Sequence, residues 1–220
     1  MLLSMNVIEL FSSIDGEGKR QGFLTTFLRL HDCNIRCSYC DTLYSYGPES
    51  TFESMSVQAV ADVIEQLENH RITVTGGEPL LQESAIIELI DELTRRNAQY
   101  DFNIETNGTI IPSFHRDNVW FTYDYKTPSS LAEDTMNLDI FKVATPADII
   151  KFVVGSMQDL DRMDEILKTY PTDAQIFVSP VWGNIEGATI IEYMKAHDWQ
   201  NVRFQLQIHK FIWDPDAKGV

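Results

Sequence analysis

The sequence predicts an α/β fold, an incomplete TIM-like barrel built from mostly parallel strands. Three observations predict it. Short runs of strand formers alternate with stretches of helical apolar spacing along most of the chain, a pattern that sets parallel strands side by side with helices as crossovers. The 220 residues accommodate about seven strands and fall short of the roughly 250 residues that eight complete units take, so closure is not expected. The loops richest in cysteine and in glycine each come straight after a strand, at the end of the sheet where such folds house their chemistry.

Residues 22–30 (GFLTTFLRL) are rich in strand formers, and residues 31–46 follow as a long irregular loop that contains every cysteine. Ser56 is placed to N-cap a helix in which Val57, Val60, Ala61, Ile64 and Leu67 recur at helical spacing. Residues 72–75 read as a short strand stopped by Gly76-Gly77, and residues 84–96 carry the amphipathic spacing Ile86, Ile87, Leu89, Ile90, Leu93. Further strands are expected at residues 102–105, 119–123, 149–154, 175–178 and 202–207, with helices at 158–169 and 186–197. No repeat, low-complexity tract or linker-like stretch interrupts the chain, so residues 1–220 are expected to form one domain.

Hydrophobic residues make up 44% and charged residues 23% of the chain, the balance of a folded globular protein and not of a disordered one. A formal charge of -16 repels a phosphate backbone, and no Lys/Arg stripe runs against that trend, so nucleic acid is not an expected partner. Residues 1–6 have neither a basic region nor a long apolar run, and no later segment nears the roughly 20 apolar residues of a membrane span. A cytoplasmic protein with no membrane partner is therefore expected.

All three cysteines fall within residues 33–40, too close together and too odd in number for a disulfide framework, but at the spacing of thiolates converging on a metal. Cys33, Cys37 and Cys40 read C-x3-C-x2-C, with Tyr39 just before the last. Iron–sulfur clusters are held at such short spacings, usually by four cysteines. Three leave one iron of a [4Fe-4S] cluster without a protein ligand, a position that the amino and carboxylate groups of S-adenosylmethionine (SAM) can chelate. The competing readings are a zinc site of three Cys and one His, with His31 the nearest candidate, and thiols without a metal. Zinc knots usually pair two short C-x-x-C halves, and a second half is missing.

The cysteine loop resembles the signature of the radical SAM superfamily. Thr75-Gly76-Gly77-Glu78-Pro79, directly after a strand, resembles that superfamily's glycine-rich segment, which meets the methionyl amino group of SAM; glycine permits so close an approach of backbone to ligand. Further segments, from about Val7 onward, look like the 7-carboxy-7-deazaguanine synthase family. Glu9-Leu10-Phe11 with Ile14-Asp15-Gly16-Glu17-Gly18 is similar to its E-I-F…Q-G-E-G segment, with Asp15 in place of the usual Gln. Cys40-Asp41-Thr42 resembles its C-D-T, Ile104-Glu105-Thr106-Asn107-Gly108 its strand-end E-T-N-G, and Gln207-Ile208-His209-Lys210 its terminal Q-x-H-K. Asp124-Tyr125-Lys126 occupies the place of S-P-K, where only the lysine matches, and Ser179-Pro180-Val181-Trp182 carries Ser where Gln is common.

The resemblance implies a radical SAM lyase that converts 6-carboxy-5,6,7,8-tetrahydropterin to 7-carboxy-7-deazaguanine with loss of ammonia, on the route to queuosine and other 7-deazapurines. It implies a [4Fe-4S] cluster on Cys33, Cys37 and Cys40, and SAM contacts from Tyr39, Asp41, Gly77, Glu105, Asp124, Lys126 and Ser179. It implies Mg2+ on Thr42, a hard oxygen ligand suited to that ion. Substrate contacts are implied from Ile14, Asp15, Gly16, Arg29, Thr75, His209 and Pro215, with Arg29 offering the substrate carboxylate a planar fork of donors. Some relatives end near the equivalent of Pro215 and use the terminal carboxylate, whereas this sequence continues from Asp216 to Val220. A reductant such as flavodoxin or ferredoxin and a homodimeric state also follow from the resemblance. The rival readings are an activase for a glycyl radical enzyme, a non-catalytic zinc-binding module, and a paralogue that keeps the fold for a regulatory contact.

Overall fold

The computed structural model describes residues 3–220; the one-domain expectation also takes in Met1 and Leu2, which lie outside the described residues. In chain order the elements are β1 (Ser4–Ile14), β2 (Leu24–Leu30), β3 (Glu53–Ser56), α1 (Val57–Gln66), β4 (Arg71–Gly76), α2 (Glu83–Arg96), β5 (Asp101–Thr106), β6 (Val119–Lys126), α3 (Ile140–Val143), β7 (Ile149–Val154), α4 (Met157–Thr169), β8 (Gln175–Pro180), α5 (Gly187–Ala196), β9 (Val202–Phe204) and α6 (His209–Ile212). Among the described residues all nine strands join one sheet in the order β3-β1-β2-β4-β5-β6-β7-β8-β9. From β2 to β9 every neighbouring pair is parallel, whereas β1 runs antiparallel to β2 and to β3. The two edge strands do not pair with each other, so the barrel stays open.

The helices form where side-chain spacing and caps agree. Ser56 Oγ accepts the Ala59 N–H at 3.2 Å and Ser156 Oγ accepts the Asp159 N–H at 3.3 Å, each satisfying a donor that a helix start leaves open. Sequence reasoning missed β1 and β3. A bulge shifts the β1 register between Val7 and Glu9 and breaks the alternation that marks a strand, and β3 has only four residues. The short α3 and α6 were likewise without a periodic signal. The last strand stops at Phe204, where Gln205 turns inward and its Oε1 accepts the Gly18 N–H at 2.7 Å.

Successive strand residues point to opposite faces. Ile72 and Val74, Phe102 and Ile104, Tyr123 and Tyr125, Ile150 and Phe152 belong to the buried core, together with Ile64 of α1, Leu89 and Leu93 of α2, Leu160 and Met163 of α4 and Ile190 of α5. The residues between them, Thr73, Thr75, Asn103, Glu105, Thr122, Asp124, Lys126 and Lys151, therefore face the inside of the open barrel. Its lower end is held by Arg20. The guanidinium donates to Asp15 at 2.8 Å, to Asp101 at 2.7 Å, to Thr73 Oγ1 at 2.7 Å and to the Ile72 carbonyl at 3.0 Å, and it stacks over Trp120. One side chain thereby ties the starts of β4, β5 and β6. No helix among the described residues is long and apolar enough to cross a membrane.

Arg20→Ala removes one partner of a buried ion pair and is expected to lower the unfolding free energy by about 3–5 kcal/mol. Chemical denaturation checks this. A loss below about 1 kcal/mol would show that the knot is incidental.

Candidate active site

A cavity opens at the carboxyl ends of the parallel strands, walled by the loop after β2, the ends of β4 to β7, the loop after β8 and the segment after β9. Packing at the end of β4 explains its double glycine. A Cβ at Gly76 would lie 2.3 Å from the Leu30 carbonyl oxygen, and one at Gly77 2.1 Å from that of Asp32 and 2.7 Å from Cys33 Cβ. Only glycine lets this turn press against the start of the cysteine loop. Glu78 then fastens the next strand: its carboxylate accepts from Leu80 N at 2.9 Å, Thr106 Oγ1 at 2.9 Å and Asn107 N at 2.7 Å. Asn107 in turn donates through Nδ2 to Asn34 Oδ1 at 2.8 Å and reaches Cys33 Sγ at 3.8 Å. The T-G-G-E-P and E-T-N-G segments are thus one hydrogen-bonded unit bearing on the cysteine loop.

Cys33, Cys37 and Cys40 are unpaired thiols on the same cavity wall. Burial pushes the Cys33 and Cys37 thiols up, so bound metal must supply the pull that makes them thiolates. Among the described residues no three His, Cys, Asp or Glu side chains are placed to hold a single ion. His31, the candidate fourth zinc ligand, stacks on Phe52 with ring centroids 4.3 Å apart. Three soft sulfur donors lining one cavity, with a donor amide beside one of them, would suit an iron–sulfur cluster.

Opposite the thiols lies a cluster of buried charges. Register sets Asp124 beside Lys151. Lys126 Nζ donates to Asp124 Oδ2 at 3.0 Å, and Lys151 Nζ stands 3.0 Å from Asp124 Oδ1 and 3.1 Å from Glu17 Oε2. The Lys151–Asp124 contact is an ion pair by distance, but Oδ1 has no partner in hydrogen-bonding geometry. Burial works to raise the Asp124 carboxyl, and the two ammonium groups outweigh it, so its pKa is lowered. Glu105, by contrast, is raised to about 7 by burial, with Glu17 adding to the effect and Lys151 opposing it. Burial also lifts the Tyr39 phenol to about 12, and its hydroxyl meets the Val153 carbonyl at 3.3 Å.

At the mouth, Arg29 Nε donates to Glu9 at 2.6 Å and the Tyr44 hydroxyl donates to the same Glu9 oxygen at 2.8 Å. The two terminal nitrogens of Arg29 have no protein partner among the described residues. Thr42 Oγ1 donates to Asp41 at 2.8 Å. His209 presents the Nδ1 edge of its ring to Gly16, whose Cβ, were there one, would sit 2.0 Å from His209 Nδ1. The Ile208 N–H donates to the Gly16 carbonyl at 3.1 Å, and Gln21 Nε2 joins the same oxygen to the Leu206 carbonyl. The glycine-rich loop and the C-terminal segment therefore clasp each other. Burial holds His209 below the ordinary imidazole value. Both Pro215 and residues 216–220 line the cavity, with Lys218 over the Tyr44 ring at 4.2 Å.

The structure brings together on this cavity Ile14, Asp15, Gly16, Arg29, the three cysteines, Tyr39, Asp41, Thr42, Thr75, Gly77, Glu105, Asp124, Lys126, His209 and Pro215. Ser179 is not on its wall: it is fully buried behind Glu17, with Oγ 3.5 Å from Glu17 Oε1. Asp15 lines the cavity and is also tied into the protein. Its carboxylate takes Arg20 and Thr73, and its backbone groups pair with Phe23 and Gly22. Sequence reasoning took in Glu17 and Asn107 only as members of motifs, without a role of their own, and passed over Tyr44 and Lys151; all four line the cavity. Lys151 did carry a signal, as a lone charge within the apolar run Ile149-Ile150-Lys151-Phe152-Val153.

The model of the radical SAM superfamily matches residues 29–154. A 7-carboxy-7-deazaguanine synthase of Clostridium acetobutylicum is 37% identical to this chain, covering 99% of it and 100% of that protein. One from Methanospirillum hungatei is 36% identical and covers 96% and 86%. The crystal structure of QueE from Escherichia coli is alike in fold, with a TM-score of 0.70 over 92% of this chain and 93% of that one at 22% identity.

The raised Glu105 carboxyl predicts a pH dependence. Because its folded-state pKa (about 7) exceeds the ordinary glutamate value of 4.5, its contribution to stability is complete below about pH 4.5 and is lost as pH rises through 7. Glu105→Gln is expected to flatten this part of the stability profile of the ligand-free protein, measured as melting temperature against pH. An unchanged slope would refute the assignment.

Proposed function

The chain belongs to the radical SAM superfamily and, within it, to the 7-carboxy-7-deazaguanine synthases, and from that premise we propose that its cavity converts 6-carboxy-5,6,7,8-tetrahydropterin to 7-carboxy-7-deazaguanine with release of ammonia. The observation that carries this reading is the meeting in one cavity of the three thiols with the Arg29 guanidinium. One end suits a radical source and the other a carboxylate anchor. When bound, the cluster and SAM supply a radical that removes a hydrogen from carbon 6 of the pterin. The protein supplies position and shelter from water.

Cys33, Cys37 and Cys40 hold the cluster. Gly77 brings backbone within reach of SAM, with Tyr39, Asp41, Asp124 and Lys126 around it, and Ser179 contributes from behind by holding Glu17. Lys126 and Asp124 form an ion pair (3.0 Å), which offers a ligand both a fixed acceptor and a fixed donor. Arg29, already oriented by Glu9, presents its terminal nitrogens to the substrate carboxylate. Thr42 is a ligand for Mg2+, which prefers oxygen and keeps open positions. Ile14, Gly16 and Thr75 shape the pterin pocket, Asp15 fixes the loop that carries Gly16, and neutral His209 offers a ring nitrogen. Pro215 and the residues after it close the mouth. Glu105, on the cavity wall beside Thr106 and Asn107, is a further SAM contact. A one-electron reductant such as flavodoxin or ferredoxin and a homodimer complete the proposal.

The test is anaerobic reconstitution followed by incubation with SAM, reductant and carboxytetrahydropterin. Mass spectrometry should find the deazapurine, and its absence from iron-replete enzyme defeats the reading. Arg29→Met should raise the pterin KM by about 10- to 100-fold, the loss of a charged hydrogen bond, while iron and sulfide content stay unchanged. An unaltered KM would remove Arg29 from the substrate site.

A further inference from the structure

Lys151 belongs to no motif of the chain, yet its ammonium is the point at which the two halves of the cavity meet. It is 5% exposed and lies 3.1 Å from Glu17 on the glycine-rich loop and 3.0 Å from Asp124 on β6. Resting on the function proposed above, we infer that Lys151 is a positioning residue that couples the two ligands, so that filling the pterin side prepares the SAM side and the reverse.

Glu17 has weak anchors elsewhere. Its other contacts, to Ser179 Oγ and Gln207 Nε2, are 3.5 Å and 3.4 Å long, so the ammonium is its main tether. Asp124 is held from the opposite side by Lys126 at 3.0 Å, and its Oδ1 has no other partner than Lys151. A displacement of Glu17 is therefore felt at Asp124 through one shared cation. Filling either pocket drives out water, lowers the local dielectric and strengthens both ion pairs. The second ligand then meets a carboxylate already in place and loses less freedom on binding. Glu105 faces the same ammonium and adds to the field that keeps it charged. A lysine that merely balanced buried charge would affect stability and leave the two affinities independent.

The experiment measures binding without turnover. On the reconstituted enzyme without reductant, the affinities for SAM and for carboxytetrahydropterin are titrated alone and with the other ligand saturating. In the wild type each ligand should tighten the other by about fivefold or more. In Lys151→Met that factor should fall to within about twofold of one, and Lys151→Arg, which keeps the charge, should recover part of it. Wild-type coupling in Lys151→Met overturns the inference, and so does a wild type without coupling. Should Lys151→Met fail to fold, Glu17→Leu removes the same contact from the loop side, and undiminished coupling there overturns it equally. Product formation by the wild type is scored separately: coupled binding without deazapurine defeats the reaction and leaves the coupling standing.

Discussion

In a parallel sheet held in register, the side-chain period of two leaves no choice about where a charge on a central strand must go. One face of β4 to β7 is committed to the helices and is largely apolar. The charged residues in the middle and upper parts of those strands are turned to the other face, where an unpaired ion is costly. The inside of the barrel answers with pairs: Asp15 with Arg20 at the lower end, and Asp124 with Lys126 and Lys151 at the upper. The polarity of the cavity is thus a consequence of the packing on the far side of the sheet.

The upper end is also where separate loops become one object. Glu78 leaves the sheet after β4 and binds the backbone and hydroxyl groups at the end of β5, while the glycines before it lie against the cysteine loop. Three pieces distant in sequence are fixed relative to one another by contacts within the protein. A cluster arriving there meets sulfurs borne by a loop that is already braced, which limits the ordering cost of binding.

Much of this was legible in the sequence. Strong periodicity marked α1, α2, α4 and α5, and the β-branched and aromatic runs marked the parallel strands. The cysteine spacing and the strand-end motifs brought nearly every candidate residue to a single cavity. What escaped notice did so for physical reasons. The β1 bulge erased alternation over the strand that borders β2. Ser179 sits one layer behind the wall because Glu17 stands in front of it, a depth that linear spacing does not encode. The pairing of the Asp15 carboxylate with Arg20, five residues away in sequence, was not legible either, because no motif links the two. Lys151 stood outside every motif, because its meaning comes from a loop more than a hundred residues earlier.

An unclosed barrel has two borders, and each exposes backbone donors and acceptors that another chain can borrow. Here both borders are brief. β3 offers four residues and β9 three, and each presents a solvent-facing charge, Glu53 on one side and Arg203 on the other. Neither gives a neighbouring molecule a long template for strand addition. The open side of the barrel is thereby kept from becoming a seam for aggregation, and the strongly negative charge of the whole chain works in the same direction.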